Sequence, residues 1–265
     1  MVSAAILAPL ALVCLWVGGT AFQVLIVLAS GGLAVEWVQL CRQRVTGISG
    51  GIVVLGVLAA SVCAALGYAL AGLGVVGGAT GLAFAIAARG GGDFRGPSTL
   101  WLPLGLPYVG LCAIALIWLR ANPSAGRSNL LFLLLLVWAS DIGAYLAGRL
   151  LGGPRLAPSI SPGKTWSGAA GGLAAAVAAG LACAFMVQPP DSPLRVICLA
   201  AGLGIIAQAG DLAESRIKRH FGVKDSGHLI PGHGGLFDRL DAVLAVAPVA
   251  AVLALFAGPG VALWQ

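Results

Sequence analysis

LLFLLLLVWASDIGAYLAG (residues 130–148) carries one charged side chain, Asp141, in a run long enough to cross a bilayer. A membrane helix needs about 20 mainly apolar residues. Runs of the same kind recur on both sides. Splitting the chain at Gly/Pro and charge clusters gives about nine spans: 3–18, 20–40, 50–67, 69–88, 100–119, 129–148, 167–187, 194–213 and 240–257. The first, within MVSAAILAPLALVCLWV, is short. It has no Lys or Arg before it, so it reads as a membrane helix and not as a cleavable signal.

Composition points the same way. Of 265 residues, 59% are hydrophobic and only 9% charged, with a mean hydropathy of +1.00. A soluble domain carries about 25% charged residues, too many more for this chain to be one. A soluble globular enzyme, a disordered chain, a coiled coil and a fibrous repeat are all excluded. The expected fold is an all-α, polytopic integral membrane protein. The 40 glycines suit close helix approach in lipid. The six cysteines lie mostly in apolar runs without a CxxC pair, and read as buried thiols. Residues 1–265 read as a single membrane domain. Residues 1–128 hold N-terminal transmembrane helices, and 129–265 hold the C-terminal helices and loops, where most of the charge gathers.

Orientation follows from the basic residues. With nine spans and the N-terminus cytoplasmic, 12 of the 15 Lys and Arg fall in cytoplasmic loops; only Arg120, Arg127 and Arg195 fall outside. The few charges suit anionic partners, either lipid head groups or nucleotide phosphates.

Five of the nine acidic residues fall within 31 residues: Asp211, Glu214, Asp225, Asp238 and Asp241. All three His lie there, with Arg216, Lys218, Arg219, Lys224 and Arg239. A solvated loop would also collect charge, but the spacing argues otherwise. Asp211, Glu214, Ser215 and Lys218 follow at i, i+3, i+4 and i+7, on one helical face. Asp238 and Asp241 head the last apolar run. Carboxylates at membrane depth pair, face a cavity or bind an ion. Two helix ends, each offering carboxylates, can hold a divalent cation, and oxygen ligands suit magnesium or calcium. Between them, Pro231-Gly232-His233-Gly234-Gly235 is either a plain turn or a phosphate cradle. The flanking cations favour the cradle.

A second constellation is SDIGAYLAGRLLGGPRLAPSISPGKTWSG (140–168). Asp141 lies inside an apolar helix and is a site candidate, with a helix-packing hydrogen bond as the alternative. Ser159, Ser161, Lys164 and Thr165 then precede a helix, where an anion is favoured. Thr165 or Ser167 also suits plain N-capping. Glu36, near the inner end of the second span, suits a pairing with an Arg or a cavity wall, and reads as structural.

The stretch from Ser215-Arg216-Ile217-Lys218-Arg219 through Lys224-Asp225 to His233-Gly234-Gly235-Leu236-Phe237-Asp238-Arg239-Leu240-Asp241 resembles the signature of phosphatidate cytidylyltransferases, the CDP-diacylglycerol synthases. Asp141-Ile142-Gly143-Ala144-Tyr145, Ser161-Pro162-Gly163-Lys164-Thr165-Trp166 and Gly210-Asp211-Leu212 are similar to the family as well. Ser167 departs from the Glu many members carry, and reads as a tolerated variant.

The resemblance implies that CTP and phosphatidate are joined to give CDP-diacylglycerol and pyrophosphate, with magnesium. A second cation is compatible. Asp211 and Asp238 would be the main metal ligands, with Asp241 and Asp141 in support. Lys218, Arg219, Lys224 and Arg239 would neutralise phosphates, and Asp211, Asp238 and Lys218 would be catalytic. Ser161, Lys164, Thr165, Ser215, His233, Gly234 and Gly235 would help to bind substrate. The expected setting is a bacterial inner membrane with the active site facing the cytoplasm. A homodimer is common for such enzymes. A nucleic-acid partner is not expected, because the basic residues are tied to carboxylates and Gly-rich loops. The rivals fit less well. The CDP-alcohol phosphotransferase pattern is missing, and an ion-coupled transporter would show a repeat.

Overall fold

The computed structural model describes residues 2–89, 98–227, 229, 234–258 and 260–265. Among them the chain forms α1 (Val2–Val17), α2 (Gly19–Leu40), α3 (Ile48–Ala65), α4 (Ala69–Ala88), α5 (Ser98–Ala121), α6 (Gly126–Leu151), a hairpin of β1 (Arg155–Ala157) and β2 (Ser161–Thr165), then α7 (Trp166–Val187), α8 (Pro193–His220) and α9 (Phe237–Ala257). All of the helices but α1 contain a stretch long and apolar enough to cross a membrane. At about 1.5 Å per residue, the 16 residues of α1 reach about 24 Å, short of the roughly 30 Å hydrocarbon core. The expected all-helical, polytopic fold is therefore observed, with eight such helices where about nine spans were expected.

The chain divides into two compact units: Met1–Ala121 with Phe221–Leu240, and Asn122–His220 with Asp241–Gln265.

In the first unit, small residues let α2–α5 approach. A Cβ at Gly72 would lie 2.8 Å from the Ala60 carbonyl oxygen, and one at Gly105 would collide with the Trp37 ring. Ala60, Ala64, Val76, Ile114 and Ile117 form a buried cluster. The hydroxyls of Ser30 and Ser61 share a 2.9 Å hydrogen bond between α2 and α3. Such bonds hold helices together in lipid, where apolar burial gives no preference for protein contact. Arg120 Nε donates to the Leu15 carbonyl at 2.7 Å, placing a cation at the negative end of α1.

In the second unit, α6 and α7 meet along a seam of small residues. Gly143, Ala144, Ala147 and Gly148 face Gly168, Gly171, Gly172 and Ala175. A Cβ at Gly143 would lie 2.8 Å from the Gly171 carbonyl oxygen, and one at Gly172 would lie 2.8 Å from that of Ser140. The two backbones are thus near contact distance, and α6 is held rigidly one turn from Asp141. After α6, Gly152 and Gly153 take φ of 63° and 100°, a region costly to other residues. They turn the chain into the hairpin, which pairs Arg155 with Thr165 and Ala157 with Ser161. The sequence reads that segment as a loop, because two Pro and a short run hide a strand signal. The C-terminus is anchored as well. Trp264 stacks on Phe132 with centroids 5.0 Å apart, and its indole donates to the Gln188 carbonyl.

Candidate active site

The site in the second unit begins with Gly210. A Cβ there would lie 3.1 Å from the Asp241 carbonyl oxygen and 2.6 Å from the Ala245 Cβ. Only glycine lets α8 come this close to α9. That approach brings Asp211 and Glu214 of α8 to Asp241 of α9. Oxygens from the three carboxylates lie within 4.8 Å of one another. Glu214 is buried, and Asp211 and Asp241 are half-buried.

So much negative charge needs compensation. Lys164 Nζ sits 2.5 Å from an Asp211 oxygen, and Lys218 Nζ sits 2.8 Å from Glu214 Oε1. Asp141, on α6, lies within electrostatic reach of Asp211, Lys164 and Asp241. Four carboxylates therefore face two ammonium groups, a formal deficit of two charges. The donor set is all oxygen, which suits a hard divalent ion such as magnesium. This arrangement fits a metal of that class.

Beside the cluster lies a cavity of about 560 Å³. Asp141, Tyr145, Lys164, Thr165, Gln208 and Asp211 are among its walls. Two further cations, Arg149 and Arg155, line it too, and neither is singled out by the sequence reading. Thr165 is the N-cap of α7: its Oγ1 accepts from Gly168 N at 3.0 Å and shares a hydrogen bond with the Ser167 hydroxyl. The Ser167 hydroxyl also donates to the Gly152 carbonyl. The plain capping role of Thr165 and its place in the cavity wall thus coexist. Ser161 is half-buried on β2. Arg219 Nε donates to the Ile160 carbonyl at 3.4 Å, fastening the hairpin tip to the end of α8. Lys218, Arg219 and His220 fill the last turn of α8, where cations suit the helix dipole. Ser215 is half-buried on that helix.

The remaining sequence candidates lie in the first unit or outside the described residues. Asp238, in the first turn of α9, accepts from Gly235 N at 3.0 Å and from Ser226 N at 3.1 and 3.2 Å. Gly234 takes φ of 81°, and a Cβ on it would lie 3.0 Å from an Asp238 oxygen. Lys224 and Arg239 are exposed. His233 lies outside the described residues.

One residue exceeds the sequence reading. That reading groups Glu214 with Asp211 on one face without naming it a ligand, because no local pattern reveals that Asp241 will pack against them. Glu36, read as structural, is fully buried and accepts from the backbone N–H groups of Leu236 and Phe237. The only sequence signal for it is an acidic residue at the end of an apolar run.

Cys41 is a buried free thiol. It lies just beyond α2, and burial pushes its thiol up to about 12.

The fold and site define a polytopic helical membrane protein with an acidic, lysine-flanked centre. The family follows from sequence comparison: residues 1–257 match the model of the cytidylyltransferase family, and the chain belongs to it. It is 40% identical over 270 residues to the phosphatidate cytidylyltransferase of Brucella suis biovar 1 (strain 1330), covering 98% of this chain and 94% of that protein. The phosphatidate cytidylyltransferase of Bacillus subtilis (strain 168) is 38% identical over 157 residues, 59% of this chain and 58% of that protein. The one from Staphylococcus saprophyticus is 41% identical over 150 residues, 57% of this chain and 56% of that protein.

Proposed function

We propose that the protein transfers the cytidylyl group of CTP to phosphatidate, giving CDP-diacylglycerol and pyrophosphate for phospholipid synthesis. The observation that carries this reading is the carboxylate cluster with its two lysines, set beside a cavity in membrane-spanning helices. The family membership and the names of the relatives agree with it.

In the proposed reaction an oxygen of the lipid phosphate attacks the α-phosphorus of CTP. The new bond joins that oxygen to the α-phosphorus. The bond from the α-phosphorus to the α–β bridging oxygen breaks, and its electrons leave with pyrophosphate. The nucleophile is already anionic, so no strong general base is needed. Catalysis is alignment and charge neutralisation. Asp211, Glu214 and Asp241 would hold magnesium, with Asp141 beside them. Magnesium would supply charge to the phosphate oxygens and a template for in-line geometry. Lys164 and Lys218 are pre-paired with the carboxylates. A phosphate chain entering the cavity would compete for the ammonium group of Lys164, which then neutralises phosphate oxygens. Arg149 and Arg155, in the cavity wall, add positive charge for an anionic substrate. Asp238 orders the segment that carries Gly235 and Arg239 through its backbone hydrogen bonds.

The proposed setting is a multi-pass protein of a bacterial inner membrane with this site on the cytoplasmic side. The 12 to 3 division of basic residues supports that orientation.

The test is a detergent-purified protein given magnesium, phosphatidate and CTP labelled in the α-phosphate. Label should move into a lipid-soluble product in the wild type and not in Asp211→Asn. A folded wild type that moves no label over several phosphatidates and magnesium concentrations would overturn the assignment.

A further inference from the structure

The exposed face of α6 carries two columns of different chemistry. Asp141, Tyr145 and Arg149 recur at every fourth residue and line the cavity. Ile142, Leu146 and Leu150 form the column beside them, 60%, 50% and 80% exposed. On a helix long and apolar enough to cross a membrane, such a column faces hydrocarbon. The cavity therefore borders, along α6, the surface where acyl chains lie.

Arg149 sits in the last turn of α6. Its Nη1 donates to the Tyr145 hydroxyl at 2.6 Å, and its guanidinium carbon lies 5.9 Å from the Tyr145 ring centroid. The side chain thus folds back one turn along the helix. That leaves the guanidinium about 6 Å along the axis, one further turn, from the level of Asp141 and the carboxylate cluster. Among the described residues Arg149 pairs with no carboxylate, whereas Lys164 and Lys218 each do. The phenol hydroxyl takes one of its five N–H donors, and the rest of the fork suits two oxygens of a phosphate. A nucleotide is polar throughout and gains nothing from a wall of hydrocarbon. A diacyl phosphate needs both surfaces: apolar contact for its chains and a cation for its head group. Arg and Tyr are also residues that settle at head-group depth.

We infer that Arg149, held in place by Tyr145, receives the phosphomonoester of the lipid substrate, whose acyl chains lie along Ile142, Leu146 and Leu150. A phosphate oxygen is then directed toward the carboxylate cluster. The inference rests on the cytidylyl-transfer reading for the role of this lipid, and not for its binding.

The test is Arg149→Gln in detergent-purified protein. Lipid binding is read as quenching of tryptophan fluorescence by brominated acyl chains; Trp138 and Trp166, on α6 and α7, are 37% and 60% exposed. Phosphatidate is compared with phosphatidylglycerol of the same chains, which is anionic but a diester. Labelled CTP with magnesium is measured by equilibrium dialysis. Loss of a charge-assisted phosphate contact predicts a rise of about tenfold in Kd for phosphatidate, with phosphatidylglycerol and CTP within about twofold of the wild type. Tyr145→Phe keeps the ring but removes the hydroxyl that aims the guanidinium. It should raise the phosphatidate Kd alone by about threefold, and decides the matter where Arg149→Gln cannot be purified. An unchanged phosphatidate affinity would make Arg149 an interfacial anchor only. An equal loss for both lipids would make it a general head-group contact, and a loss for CTP would assign it to the nucleotide. Each of these overturns the inference. A wild type that binds phosphatidate through Arg149 but moves no cytidylyl label would refute the cytidylyl reading and leave the lipid site standing.

Discussion

Asp241→Asn separates a metal-binding cluster from a set of carboxylates that happen to lie close. Asn is isosteric, and its Oδ1 can still accept from Ala242 N, as Asp241 does at 2.7 Å. What changes is one negative charge among three carboxylates whose oxygens lie within 4.8 Å. At that separation and an effective dielectric of about 20, each like-charge pair costs about 3.5 kcal/mol before compensation. The variant removes two such pairs, with Asp211 and with Glu214. Lys164 and Lys218 already offset part of this, so a net gain of about 1 kcal/mol is expected without metal. Unlike most substitutions at a buried site, the variant should therefore raise the Tm in EDTA. The sign reverses with magnesium. A wild type at about 100 times its Kd gains about 2.7 kcal/mol from binding. If losing one ligand weakens binding about 100-fold, the same magnesium concentration adds only about 0.4 kcal/mol. Thermal unfolding followed by tryptophan fluorescence, in EDTA and in magnesium, reads both effects. A variant less stable in EDTA that keeps the full magnesium gain would refute the assignment of this cluster as a cation site.

Gly143→Ala should destabilise by about 1–3 kcal/mol, because the new methyl lies 2.8 Å from the Gly171 carbonyl oxygen and must force α6 from α7. Denaturation in mixed detergent would measure this, and a loss under about 0.5 kcal/mol would show that the seam can relax. Cys41 should resist a polar maleimide in the folded protein at pH 8 and react once unfolded in SDS, because burial holds its thiol protonated. Rapid labelling of native Cys41 would contradict that burial.

Much was legible from residue types alone. Apolar runs of membrane length fixed the fold class, because bilayer thickness sets a length that sequence shows directly. The i, i+3, i+4, i+7 spacing of Asp211, Glu214, Ser215 and Lys218 put them on one face, since 3.6 residues per turn is a local property. The two constellations around Asp141 and Asp211 are visible because charge is scarce elsewhere. Helicity and the polar face of α8 were thus readable one segment at a time.

What the sequence could not reveal was which distant groups meet. Glu214 joins Asp241 because Gly210 lets α8 touch α9. Lys164 reaches Asp211 from a hairpin whose strands carry little strand propensity. Glu36 looks like a stray acid at the end of α2, yet it caps a helix 200 residues later. Each of these depends on a close approach between segments far apart in the chain. Local spacing encodes a helix face; it does not encode which face another helix will bury. Only the tertiary structure decided that, because the small residues that permit such contacts look alike wherever they occur.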